Sequence, residues 1–285
     1  MMLGMMQIYL QIMALISLSA ASGLFLSHLF IHNTKIAHTG TYCTLFAIVM
    51  QTLAIGLDSF QDGFLIITTN SDTIGYIAWS FLLLFAFLIW KYRLYMMGAF
   101  VLPIVMVCLG GQLAFSSHSE KTLSLHSTWI IFHLVFSIIA DATMLMAGVF
   151  SAVYLLQDKL LKEKKVATIW KRFPPLPMID NIFANFLLIG FICMTLSMTT
   201  GTYLAAHYWG DDWYIDPRQV WSFLMWLSTA TLLFLRLALG FRGKKIATVV
   251  AITVVCILLG FILIPALRIS KHDSNHMHTY IGAKR

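Results

Sequence analysis

The sequence predicts an all-α integral membrane protein with about eight transmembrane helices and both termini on the extracytoplasmic side, and three observations carry that expectation. Hydrophobic residues make up 59% of the 285-residue chain and charged residues 11%, with a mean hydropathy of +0.82. A soluble domain of this size could hardly sustain that balance. Apolar runs of about 20 residues, long enough to cross the hydrocarbon core as helices, recur near 8–31, 39–57, 73–90, 95–115, 127–156, 182–206, 218–239 and 246–267. Lysine and arginine collect in alternate connections between these runs, which marks the basic side as cytoplasmic. The formal net charge of +7 is thus a topology signal, whose plain consequence is attraction to anionic lipid headgroups; it calls for no nucleic-acid partner.

Each run follows from local chemistry. No Lys or Arg precedes the first, which therefore lacks the basic leader of a secretory signal, although Ser19-Ala20-Ala21 loosely resembles a cleavage site; it reads as a retained span. His28 and His32 lie at its inner end, where Lys35 begins the basic side. The second run rises to Asp58 and Asp62, and the third descends from Asp72 to Lys91 and Arg93. The fourth ends before His118, Glu120 and His126 on the acidic side. The fifth carries His133 and Asp141 and ends among Lys159, Lys162, Lys164 and Lys165, in a connection that reaches Pro174-Pro175 and Asp180. The sixth rises to His207, and the seventh ends before Arg242. The eighth starts at Lys244 and Lys245 and precedes His272, His276 and His278. Cys43, Cys108, Cys193 and Cys256 sit singly in different runs, so neither a disulfide framework nor thiol chemistry is expected. With no internal repeat, residues 1–285 read as one polytopic domain.

The stretch HYWGDDWYIDPRQVWSFLMW, 207–226, concentrates flat rings and carboxylates at one membrane edge. Asp216 suits an N-cap, Pro217 the first helical position and Gln219 the third, so Asp-Pro-Arg-Gln reads as a capping box. Tyr208, Trp209, Trp213 and Tyr214 are expected in the loop before this helix, and Trp221 and Trp226 on its first turns. A docking platform for a planar, partly polar ligand and an interfacial aromatic belt both account for this composition. Imidazole is a good ligand for haem iron, and His118, His126, His133, His207, His272, His276 and His278 all fall on the expected outer side. His126 and His133 are two helical turns apart and share a face. Asp141 lies close to the same face near mid-membrane, where a carboxylate costs roughly 2.5–3.5 kcal/mol to insert and is usually paired or functional.

The run YWGDDWYIDPRQVWSFLMWL resembles the tryptophan-rich, Asp-Pro-centred "WWD" segment of the cytochrome c assembly protein family, with its CcsA/ResC, CcmC, CcmF and HemX-like branches. LHSTWIIFHLVFSIIA, SAVYLLQDKLLKEKK, FRGKK and Met277-His278-Thr279-Tyr280 are similar to further family elements, so the resemblance covers about 75–281. It implies a haem-handling protein of the cytoplasmic (inner) membrane, working in cytochrome c biogenesis and presenting haem b, held non-covalently and transiently, to apocytochrome c on the extracytoplasmic side. A second membrane subunit with a large extracytoplasmic domain is the implied partner. On matching positions His133 and His278 would ligate the haem iron, Trp209, Trp213 and Trp221 would pack against the porphyrin, and Asp216 would set the platform. His126, His207 and Asp141 are additional candidates, and no catalytic nucleophile is expected. The chain departs from the family pattern at Ile215 and Gln219, both tolerable, and at Gln51 and Phe234, which replace span histidines of CcsA-type members. Neither Gln nor Phe is an ordinary haem ligand. A HemX-like regulator of a tetrapyrrole-synthesis enzyme and a solute transporter, which would need a polar path through the midplane, are the alternative readings.

Overall fold

The computed structural model describes residues 2–31, 33–62, 70–115, 128–163, 173–209, 214 and 216–266. Among them the regular elements are all helical: α1 (Met2–Ile31), α2 (Thr34–Asp62), α3 (Asn70–Tyr92), a 3-10 turn (Tyr95–Met97), α4 (Gly98–Phe115), α5 (Thr128–Lys162), α6 (Leu176–Trp209), α7 (Pro217–Leu237) and α8 (Lys244–Ala266). Seven of these helical segments are long and apolar enough to cross a membrane. The protein is therefore a multi-pass membrane protein, and the 23-residue α8 covers most of the eighth apolar run.

Two helices overrun their expected limits. At about 1.5 Å per residue, the 35 residues of α5 and 34 of α6 reach about 50 Å, well beyond a hydrocarbon core of about 30 Å. The tail of α5, Leu155 to Lys162, consists mostly of good helix formers, so the helix continues after the apolar run has ended. Pro174-Pro175 bars an earlier start to α6, and the Pro175 carbonyl accepts the first bonds, from Met178 N at 2.8 Å and Ile179 N at 3.2 Å.

The chain divides into two compact units. The first comprises residues 1–124 and 160–174 and contains α1 to α4. With lipid outside, apolar burial gives little drive for helix association, which falls to close packing at small residues and to polar pairs. Phe25, wholly buried, supplies the packing: a Cβ at Gly40 would lie 3.2 Å from its ring and one at Gly98 2.5 Å, while Phe85 meets it edge-on at 5.9 Å. Ser17 Oγ donates to the Cys43 carbonyl at 2.8 Å. Farther along, the buried Gln51 amide donates to Gln112 Oε1 at 3.2 Å, and only a glycine at position 75 leaves room for the Gln112 amide.

The second unit comprises residues 125–159 and 175–285, with most of α5 and all of α6 to α8. Small residues again admit large neighbours: a Cβ at Gly148 would meet Val254 at 2.6 Å, and one at Gly190 would meet Met144 at 2.6 Å. At one end Arg236 of α7 donates to Asp180 Oδ2 of α6 at 2.7 Å, both side chains 8% exposed. The other carboxylate oxygen accepts Gly243 N at 3.0 Å, which ties the turn before α8 to the same acid. Gly243 has φ of +76°, a conformation that favours glycine.

Candidate functional site

The site is built where the start of α5, the last third of α6 and the start of α7 meet. His133 Nδ1 lies 2.8 Å from the Ser197 carbonyl oxygen. A carbonyl can only accept, so Nδ1 carries the proton and the neutral ring keeps its lone pair on Nε2. Ser197 Oγ reinforces the join, 3.3 Å from the same ring nitrogen and donating to the His133 carbonyl at 3.4 Å. Gly201, one turn on, is the floor of the ring: a Cβ there would lie 2.6 Å from Cε1, 2.9 Å from Nδ1 and 3.6 Å from Nε2. An imidazole held through Nδ1–H by a backbone carbonyl, with no partner on Nε2 among the described residues, is the arrangement that orients a metal-binding histidine. These residues fit a haem ligand.

The cap of α7 sits at the same level. Asp216, 2% exposed, accepts the Arg218 N–H at 2.9 Å, and Pro217 occupies the first turn, as expected. Gln219 has an attachment beyond its own helix. Gln219 Nε2 donates to Thr202 Oγ1 of α6 at 3.0 Å, and that bond docks the start of α7 beside Gly201. Arg218 is close enough to act electrostatically on both His133 and Asp141. Asp141 is half-buried, and Arg218 is the charge that acts on it.

The aromatic expectations divide. Tyr208 and Trp209 belong to the last turn of α6, not to a loop, because that helix continues to Trp209. Trp221 turns its indole onto Gly260 of α8, the only residue type with room for it there, and its buried Nε1 has no acceptor among the described residues. Trp226 donates to Thr195 Oγ1 at 2.9 Å and stacks on Phe191 at 5.6 Å, a packing role. His207 stacks on Tyr203 at 6.4 Å, and Trp129 meets Tyr203 at 5.3 Å, which makes a short aromatic ladder along the start of α5 and the end of α6. His278, His126 and Trp213 lie outside the described residues.

The two span positions at which the sequence departs from the expected histidines are differently placed. Gln51 is wholly buried and committed to Gln112, and Phe234 is 60% exposed on the helix surface. Sequence reasoning passed over Ser197, Gly201, Thr202 and the Asp180–Arg236 pair. The small-residue run Thr199-Thr200-Gly201-Thr202 was the available signal, since such runs mark close helix approach.

The chain is similar to known proteins. The family model described as "Cytochrome C assembly protein" matches residues 69–270. The cytochrome c biogenesis protein CcsA of Guillardia theta is 23% identical over 250 residues, covering 81% of each chain. That of Chlorella vulgaris is 26% identical over 245 residues, covering 74% of this chain and 76% of its own. A shorter match to the Chlamydomonas reinhardtii protein reaches 31% over 129 residues, 45% of this chain and 35% of that one.

Proposed function

The chain belongs to the cytochrome c assembly protein family, and from that premise we propose that it acts in cytochrome c biogenesis as a haem-presenting membrane subunit. It holds haem as cargo at the outer ends of α5, α6 and α7 for attachment to apocytochrome c, alongside a second membrane subunit in the cytoplasmic membrane. The observation that carries this reading is the hydrogen bond from His133 Nδ1–H to the Ser197 carbonyl at 2.8 Å, which leaves Nε2 as the ligating atom.

Each neighbour has a part in holding the cargo. Gly201 leaves the approach to Nε2 open, since a larger side chain there would press on the ring. Arg218, its backbone pinned by the Asp216 cap, offers positive charge to a ligand that carries carboxylates. By resemblance to the family, His278 would supply a second imidazole to the haem iron, and Trp209 and Trp213 would pack against the porphyrin. With Gln51 and Phe234 in place of span histidines, and neither an ordinary haem ligand, at most one haem per chain is expected.

Gly201→Leu tests the site without touching a ligand. It should lower haem affinity by roughly 10–100-fold, the usual cost of disturbing what orients a metal ligand, with Gly201→Ala intermediate. Haem absorbance per detergent-purified protein, at matched helix content, reads the effect; full occupancy in Gly201→Leu would remove His133 from the site. Sidedness is tested separately. Reporter fusions after Lys165 should behave as cytoplasmic and those after Asp212 as extracytoplasmic, and the reverse pattern would rule out delivery to an extracytoplasmic apoprotein.

A further inference from the structure

A second binding surface lies in the first unit, between α2 and α3. Thr41, Thr44 and Leu45 of α2 face Ala86, Phe87 and Trp90 of α3 across a groove of about 420 Å³. Two of its seven lining residues are threonines, yet it offers a ligand no polar group, because each hydroxyl turns back onto its own helix: Thr41 Oγ1 donates to the Ala37 carbonyl at 2.9 Å and Thr44 Oγ1 to the Gly40 carbonyl at 2.9 Å. Only methyls and rings face inward. Ala86 opens the space, with Phe87 44% and Trp90 78% exposed along its rim.

The mouth has the opposite character. Lys91 places its ammonium 5.5 Å from the centre of the Phe87 ring and 5.3 Å from that of Tyr92, so a cation sits on a ring that also lines the groove. Arg93 follows with φ of 53°, at the turn that ends α3, and Lys35, exposed in the first turn of α2, occupies the same end because α2 and α3 run in opposite directions. A slot with dry walls along the helices and three cations at one end is complementary to an amphiphile with an anionic head. The groove follows about 6 Å of each helix, enough for the first part of an acyl chain below its headgroup.

We propose that this groove binds one anionic phospholipid, its proximal acyl chain between Thr44 and Ala86 and its phosphate beside Lys91, Arg93 and Lys35. The lipid closes the α2–α3 face at the basic end of the bundle, independently of the haem site in the other unit.

The test is native mass spectrometry of the full chain in neutral detergent, with dioleoylphosphatidylglycerol competed against dioleoylphosphatidylcholine. The parent should retain one phosphatidylglycerol in preference to phosphatidylcholine, and Lys91→Gln should cut that preference roughly fivefold, as expected for one juxtamembrane cation. Ala86→Phe should abolish retention by filling the slot from α3. Leu45→Trp, at a position already 44% exposed, should do so from α2 even if the first variant folds poorly. Equal retention of both lipids by the parent, phosphatidylglycerol still held by Leu45→Trp, or a haem mass displaced by the groove-filling variants would overturn the proposal.

Discussion

His133→Ala should strip haem from the purified protein, with a fall in affinity at least as large as the 10–100-fold typical of losing a mere supporting group around a metal. The ring is held at Nδ1 by the Ser197 carbonyl, so the alanine removes the proposed ligating nitrogen together with one bond between α5 and α6. Its neighbourhood on α6 is already lined by Gly201, and the helices should remain folded. Added imidazole should restore part of the absorbance spectrum by occupying the vacated position. His278→Ala is expected to act in the same direction. His207→Ala, at a ring stacked on Tyr203, should leave the spectrum unchanged. If the spectra of both the His133 and His278 variants matched the parent, ligation would pass to His126, His207 or His276 and the proposed site would be wrong.

The other large effect is on stability. Arg236→Met leaves the Asp180 carboxylate buried at 8% exposure without its cation, and breaking such a pair costs about 3–5 kcal/mol. It also removes the guanidinium from the Phe183 ring, 5.5 Å away. The double variant Asp180→Asn with Arg236→Met should recover much of the loss, since the amide oxygen still accepts from Gly243 N and no bare charge remains. Detergent melting temperatures would order the parent above the double variant and the double above Arg236→Met alone. A single variant that melted with the parent would mean that the pair does not hold α6 to α7. Because Asp180 lies about 30 Å along α6 from Gly201, by helical rise, haem occupancy at low temperature should survive in the folded fraction. Stability and binding are then separable in one set of proteins.

Some of this was legible in the residues and some was not. Helix positions followed from the length of each apolar run, and the start of α7 followed from Asp216-Pro217, because both depend on chemistry within a few residues of the chain. The ends of α5 and α6 were misjudged where good helix formers carried the backbone past the membrane, which moved Tyr208 and Trp209 from a loop into a helix. His133 was singled out by residue type and by the family pattern. Its Ser197 and Gly201 partners were not, nor was the bond from Gln219 to Thr202 on α6.

By itself, then, the sequence determined an all-helical membrane protein, the order of its spans, the cap that begins α7 and the family. Tertiary structure alone decided which faces meet: Ser197 against His133, 64 residues apart; Asp180 against Arg236, 56 apart; Phe25 between Gly40 and Gly98; and Trp221 on Gly260. The reason is physical. A soluble helix advertises its inner face by an apolar stripe, but a helix surrounded by lipid is apolar on every side, and its orientation is set by small residues and a few polar pairs whose partners lie on other helices.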